Sequence, residues 1–198
     1  MVEAVTQWDF SILYFIQEHL RTAFGDFLMP LISALGSGGV IWIVCAVVMV
    51  IIKKTRKAGV QVGVALLMCL ILSNLILKTL VARDRPFVQD PMAEELGYLV
   101  AGPTDGYSFP SGHTVSSFAA ATAIFLWNKK FGAGAYVLAA LIGFSRLYNF
   151  VHFPTDVLCG IAVGVLFGVI AHYAVEAADR AIKKKRSERT ATAAVKNE

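Results

Sequence analysis

The sequence predicts an all-α fold, a polytopic transmembrane helical bundle of about five spans with an N-terminal interfacial helix, and three observations predict it. Apolar residues make up 57% of the 198 positions, more than the roughly 45–50% of a soluble domain. Several stretches without any charge approach the about 20 apolar residues that a helix needs to cross the hydrocarbon layer. Basic residues gather in a few short connections, the arrangement by which a multi-pass protein sets its orientation. Five such stretches leave too little polar sequence to wrap a soluble core.

Residues 1–26 are read as an N-terminal interfacial segment. WDFSILYFIQEHL (8–20) places Phe10, Leu13, Ile16, Gln17 and Leu20 at helical spacing with Asp9, Glu18 and His19 nearby, which suits a helix lying in the headgroup plane. It has neither the basic start nor the small-residue cleavage site of a secretory signal. The membrane domain is placed at 27–180. Its first uncharged stretch runs from Phe27 to Ile52, interrupted by Pro30 and by GSGG at 36–39, so Phe27 to Leu35 is expected as a kinked or re-entrant lead-in. The next stretches are Ala58 to Leu77, the one following His113 as far as Asn128, Phe131 to Ser145, and Val157 to Val175. Five spans are expected, with a sixth left open. Residues 181–198 read as a basic, disordered cytoplasmic tail.

Within the spans, Gly160, Gly164 and Gly168 form a small-residue stripe, expected to pack inside the molecule rather than as a dimer face. Oligomeric state stays open. Cys45, Cys69 and Cys159 fall inside predicted spans with no ligand spacing and are read as packing residues. No metal site and no cofactor are expected.

Charge gives the orientation. Lys53, Lys54, Arg56 and Lys57, then Lys129 and Lys130, then Lys183, Lys184, Lys185 and Arg186 mark three connections as cytoplasmic. The segment from Arg83 to Pro110 carries Asp84, Asp90, Glu94, Glu95 and Asp105 against two arginines and is expected on the outer face of the plasma membrane. The net charge of +4 sits in the cytoplasmic patches, so it indicates topology and anionic lipid heads, with no nucleic acid partner.

Three polar clusters lie at the outer ends of spans: KTLVARDRP (78–86), FPSGHT (109–114) and SRLYNFVHFPTD (145–156). In the second, Pro110 and Ser111 stand where a helix begins and Gly112 lets a backbone approach a ligand, so the first-turn N–H groups could hold an anion. Lys78, Arg85 and Arg146 add three cations able to surround a phosphoryl group. Arg146 interrupts apolar sequence, where an ionisable residue is a functional candidate. His152 and Asp156 are four residues apart at a helix start, a spacing that lets the carboxylate orient one ring nitrogen and leave the other as a nucleophile. His113 is placed to act as a general acid.

These stretches resemble the three-part signature of the type 2 phosphatidic acid phosphatase superfamily of membrane lipid phosphatases: K-x6-RP, then PSGH, then SR-x5-H-x3-D. Lys78, Arg85 and Pro86 fit the first part, Pro110 to His113 the second, and Ser145, Arg146, His152 and Asp156 the third. The resemblance implies that Lys78, Arg85, Ser111, Gly112 and Arg146 bind phosphate, that His152 forms a phosphohistidine, that Asp156 orients it, and that His113 protonates the leaving group, without a divalent metal. It implies a lipid phosphate or diphosphate substrate in the bilayer. Undecaprenyl diphosphate is the first expectation, with phosphatidic acid or phosphatidylglycerol phosphate as the alternative. A lipid phosphotransferase and a non-catalytic lipid-binding protein are the other classes kept open. Arg83 falls outside the signature and is a secondary candidate, and the outer loop 87–109 is read as a connector or partial cover.

Overall fold

The computed structural model describes residues 2–196, and all regular structure among them is helical. In chain order the elements are α1 (Val2–Phe15), running into a π-helical turn at Ile16–Leu20; α2 (Ala23–Leu35); a 3-10 turn at Ser37–Gly39; α3 (Val40–Ile51); and α4 (Arg56–Met68), which continues through π-helical Cys69–Leu77 into α5 (Lys78–Val81). Two short helices, α6 (Pro86–Gln89) and α7 (Met92–Glu95), lie in the outer loop, and α8 (Gly112–Trp127), α9 (Lys129–Tyr148) and α10 (Pro154–Lys196) follow.

Local chemistry sets the boundaries. Thr22 caps α2 by accepting a hydrogen bond from the Gly25 amide, and Asn128 caps α9 by accepting from the amides of Lys130 and Phe131, as short polar side chains do at a helix start. Between α2 and α3 the left-handed Gly38 and Gly39, φ 59° and 69°, break the helix where a side chain would be strained, and the two halves bend by 44°. This is the kinked lead-in the sequence predicts.

At the centre stands α8, whose residues Thr114 to Ser117 and Ala119 to Ile124 are all buried. Against it α10 presents the glycine stripe: a Cβ at Gly164 would lie 2.6 Å from the Val115 carbonyl oxygen, and one at Gly168 2.6 Å from that of Ala119. Both distances are below van der Waals contact, so the stripe is spent on packing α10 against α8, with no need of a dimer. Trp42 of α3 joins the same core and donates its indole N–H to Ser117 at 2.9 Å.

Among the described residues, three helical stretches are long and apolar enough to cross a membrane, Arg56–Gln89, Lys129–Tyr148 and Pro154–Thr190, or four if the bent pair α2–α3 counts as one span. The sequence expects five. The remaining helix, α8, has 16 residues, short of the about 20 required. Val44, Val47, Leu67, Leu70, Val137 and Leu166 are among many large apolar side chains left exposed, as on a surface that faces lipid rather than water.

Two expectations gain detail. From 181, α10 continues through the lysines to Lys196, because an already formed helix propagates readily through good helix formers such as Ala, Lys, Arg and Glu. The face of α1 that turns inward holds Asp9, Leu13, Ile16 and Gln17, while Leu20 is exposed. Leu13 packs with Ala93, Phe150 and Phe153, so α1 is docked on the bundle near the α9–α10 turn.

Candidate active site

The three polar clusters converge on one cavity of about 1000 Å³. Lys78, Arg85, Gly112, His113, Arg146 and His152 line one end, together with Thr104 and Asp105 from the outer loop. The other walls are apolar and lie between α3 and α4: Ile43, Val47, Val50, Val60, Val64, Leu67 and Leu70. A charged end and a long apolar trough therefore share one space.

The last turn of α9 carries Arg146, 5% exposed. Its Nη1 donates to the Ser33 hydroxyl of α2, its Nε has no partner, and no carboxylate pairs with it among the described residues. Lys78 likewise has no ion-pair partner there. A buried cation without counter-charge, as Arg146 is, is costly unless an anion completes the site, and the half-buried Lys78 adds a second charge beside it. Arg85 differs. Its guanidinium donates to the carbonyls of Gly106 at 2.8 Å, Asp105 at 2.9 Å and Val151 at 2.9 Å, so it ties the outer loop to the α9–α10 turn while keeping its charge at the cavity.

That turn presents His152. Phe150 adopts φ 55°, a conformation rare for a bulky residue, and is held there by rings: Tyr14, Tyr98 and Phe10 lie 6.1, 5.3 and 6.4 Å from it, centroid to centroid. Two residues on, His152 is 1% exposed. Its Nδ1 is 3.5 Å from Asp156 Oδ2, a separation longer than a hydrogen bond, and makes no hydrogen bond among the described residues; its Nε2 is 3.4 Å from Arg85 Nη1. Burial pushes the imidazole pKa down to about 4, outweighing the pull of Asp156 in the other direction, so the ring is neutral near pH 7.

Asp156 stands behind His152 rather than on the cavity wall, fully buried. Its Oδ2 accepts from the Ser108 hydroxyl at 2.7 Å and the Phe153 amide at 2.9 Å, and its Oδ1 accepts from Arg83 Nη1 at 2.8 Å. Ser111 also lies behind the wall. It occupies the N-cap position of α8, yet its hydroxyl caps no backbone N–H; it accepts from Thr114 Oγ1 at 3.0 Å. Gly112 does reach the cavity, where the first amides of α8 have no acceptor within the helix. His113 faces the cavity from the same turn, its Nε2 3.4 Å from the Ser37 hydroxyl.

Sequence reasoning missed Asp9, Ser33, Ser108 and Thr155, and ranked Arg83 too low: all five contact the predicted site residues or one another. A signal existed for Asp9 alone, which shares a helical face with Leu13 and Ile16. Among the described residues no group of three His, Cys, Asp or Glu side chains is placed to hold a metal ion.

A sequence model of the PAP2 superfamily matches residues 58–180, which contain all three polar clusters. Among curated proteins, an undecaprenyl-diphosphatase of Sulfolobus acidocaldarius is 31% identical over 125 residues, covering 63% of this chain and 58% of its own. A lipid A 4'-phosphatase of Porphyromonas gingivalis is 36% identical over 121 residues, covering 59% of this chain and 51% of its own. The chain thus spans little more than half the length of these relatives. Among solved structures, a transmembrane PAP2-type phosphatidylglycerolphosphate phosphatase from Bacillus subtilis superposes with a TM-score of 0.68 at 27% identity, covering 90% of this chain and 88% of that one.

Proposed function

The chain belongs to the PAP2 superfamily, and from that premise we propose that it is a membrane lipid phosphatase acting through a phosphohistidine. The observation that carries the reading is the cavity, which joins unpaired cations and two histidines to an apolar trough. A phosphate headgroup fits the first and a lipid tail the second. Small soluble phosphoesters would need no such trough.

In the proposed mechanism the neutral His152 keeps its proton on Nδ1, facing Asp156, and its Nε2 lone pair attacks phosphorus. The bond from phosphorus to the leaving oxygen breaks, and His113, which enters the step as the imidazolium, gives that oxygen a proton. Neutral His113 then takes a proton from water, the hydroxide attacks phosphorus, the P–N bond breaks, and inorganic phosphate leaves with both histidines restored. Lys78, Arg146, the charge of Arg85 and the amides at Gly112 stabilise the negative charge on the phosphoryl oxygens. Ser111 supports the Gly112 turn from behind.

Undecaprenyl diphosphate is the substrate proposed first, given the relative of that activity; phosphatidylglycerol phosphate and phosphatidic acid follow. We place the site on the outer face of the plasma membrane because the basic connections mark the opposite side. The test is phosphate release by the detergent-purified protein in excess EDTA from each of the three lipids. Release from at least one is expected, and the fastest identifies the tail class. Release only on adding a divalent ion would overturn the metal-independent mechanism, and transfer of labelled phosphate solely to an added lipid acceptor would make the protein a phosphotransferase.

The trough gives a second test. Gly63 of α4 lines it, and a Cβ there meets nothing within 4 Å. Gly63→Phe is expected to lower kcat/KM for the long-tailed substrate about 10-fold, the scale of losing part of an apolar subsite, while hydrolysis of p-nitrophenyl phosphate stays unchanged. Equal losses on both substrates would remove the trough from tail binding.

A further inference from the structure

One guanidinium connects α1 with the start of α10 beside His152. Arg83 Nη2 donates to Asp9 Oδ2 at 2.7 Å, and its Nη1 donates to Asp156 Oδ1 at 2.8 Å and to Thr155 Oγ1 at 2.7 Å. Asp9 in turn accepts from the Thr155 amide at 2.9 Å and from its hydroxyl at 2.6 Å. The side chains of Asp9 and Asp156 are both fully inaccessible, and the guanidinium lies over the Phe153 ring, 3.8 Å from its centroid. Every partner is within four residues of His152 in sequence or is bonded to one that is.

Docking α1 does not require this. Leu13 and Phe10 already pack on Phe150 and Phe153, and α1 could dock through them without the desolvation cost of burying a second carboxylate beside Asp156. What Asp9 adds is direction: it holds the far edge of a planar fork whose near edge fixes one oxygen of Asp156. Ser108 and the Phe153 amide hold the other oxygen. With both oxygens fixed, the carboxylate has one orientation towards Nδ1 of His152.

We propose that Asp9 and Arg83 are positioning residues for the reaction: α1 supplies Asp9 to lock Arg83 on Asp156, and so sets the orientation of the His152 ring. This rests on His152 being the nucleophile, and Asp9 lies outside the residues matched to the superfamily. The two act through other side chains and touch no substrate, so their loss lowers kcat and leaves KM unchanged.

The experiment measures kcat and KM for phosphate release by Asp9→Asn, Arg83→Gln, Arg83→Lys and the double variant Asp9→Asn/Arg83→Gln, each checked for folding by thermal unfolding in detergent. Arg83→Gln is expected to lose about 100-fold in kcat, the scale of a small misplacement of a reacting group, and Asp9→Asn about 10-fold. Each KM should stay within about twofold, because residues remote from substrate do not contribute to its binding. Lysine, a single point donor, should not rescue Arg83→Gln, and the double variant should fall no further than Arg83→Gln alone, since coupled residues are not additive. Folded variants with wild-type kcat, or losses that simply multiply, overturn the proposal. Thr155→Val, which deletes the hydroxyl shared by both residues, serves where Asp9→Asn does not fold; a kcat loss of about fivefold supports the proposal and an unchanged kcat overturns it. His152→Ala run in parallel separates the two readings: if it keeps activity, the nucleophile assignment fails, whereas an inactive His152→Ala beside fully active Asp9 and Arg83 variants sinks only the positioning role.

Discussion

His152→Ala is expected to abolish phosphate release, by about 10⁴-fold or more, with the protein still folded and still binding lipid. The size follows from the role: removing a nucleophile ends covalent catalysis and leaves only what the cations and binding supply. The ring is held for that proposed role by the left-handed Phe150 and by Arg85 on the Val151 carbonyl, with the Asp156 carboxylate 3.5 Å from Nδ1. Burial keeps it neutral at working pH, so no proton has to be removed before attack. Release assays on wild type and variant, with a quenched labelled substrate to trap acid-labile phosphoprotein, provide the check. A variant that keeps more than about a hundredth of the activity would be incompatible with the covalent route.

Arg146→Met is expected to move activity and stability in opposite directions. Arg146 is almost fully buried, its Nε has no partner, and among the described residues its side chain hydrogen-bonds the Ser33 hydroxyl alone. Such a charge destabilises the empty protein, and an apolar residue of similar length relieves that cost by about 1–3 kcal/mol. The same charge has only an anion to pair with, so kcat/KM should fall about 10³-fold, as when a principal electrostatic stabiliser is removed from a transition state. Thermal unfolding and phosphate release in the same detergent test both halves. A fall in Tm alongside the loss of activity would mean that Arg146 holds the α2–α9 contact rather than the phosphate.

The route from sequence to site was uneven for physical reasons. His152 and Asp156 could be placed near one another from the sequence, because Asp156 falls in the first turn of α10 and His152 just before it. The glycine stripe was equally legible: spacing of four places all three glycines on one side of α10. Arg83 could not be assigned this way, since its three partners come from α1 and α10 and no local pattern encodes a contact across more than 70 positions. Ser111 matched the N-cap preference, yet its hydroxyl is occupied by Thr114, a tertiary choice that composition does not reveal. The course of α10 beyond 181 was not legible because polarity indicates solvent exposure, which a helix growing out of the bundle satisfies as well as a disordered chain does.

The unbroken course of α10 ties two distant places together by length. From Pro154 to Lys183 are 29 residue steps along one helix, about 44 Å at the usual rise of 1.5 Å each, close to the about 40–45 Å thickness of a bilayer with its headgroup regions. On the proposed topology, lysines in one headgroup layer therefore suspend His152 at the level of the other. The depth at which the site meets a lipid phosphate is set by a helix that carries none of its cations, and removing one turn from the middle of α10 would draw the site about 5 Å into the hydrocarbon.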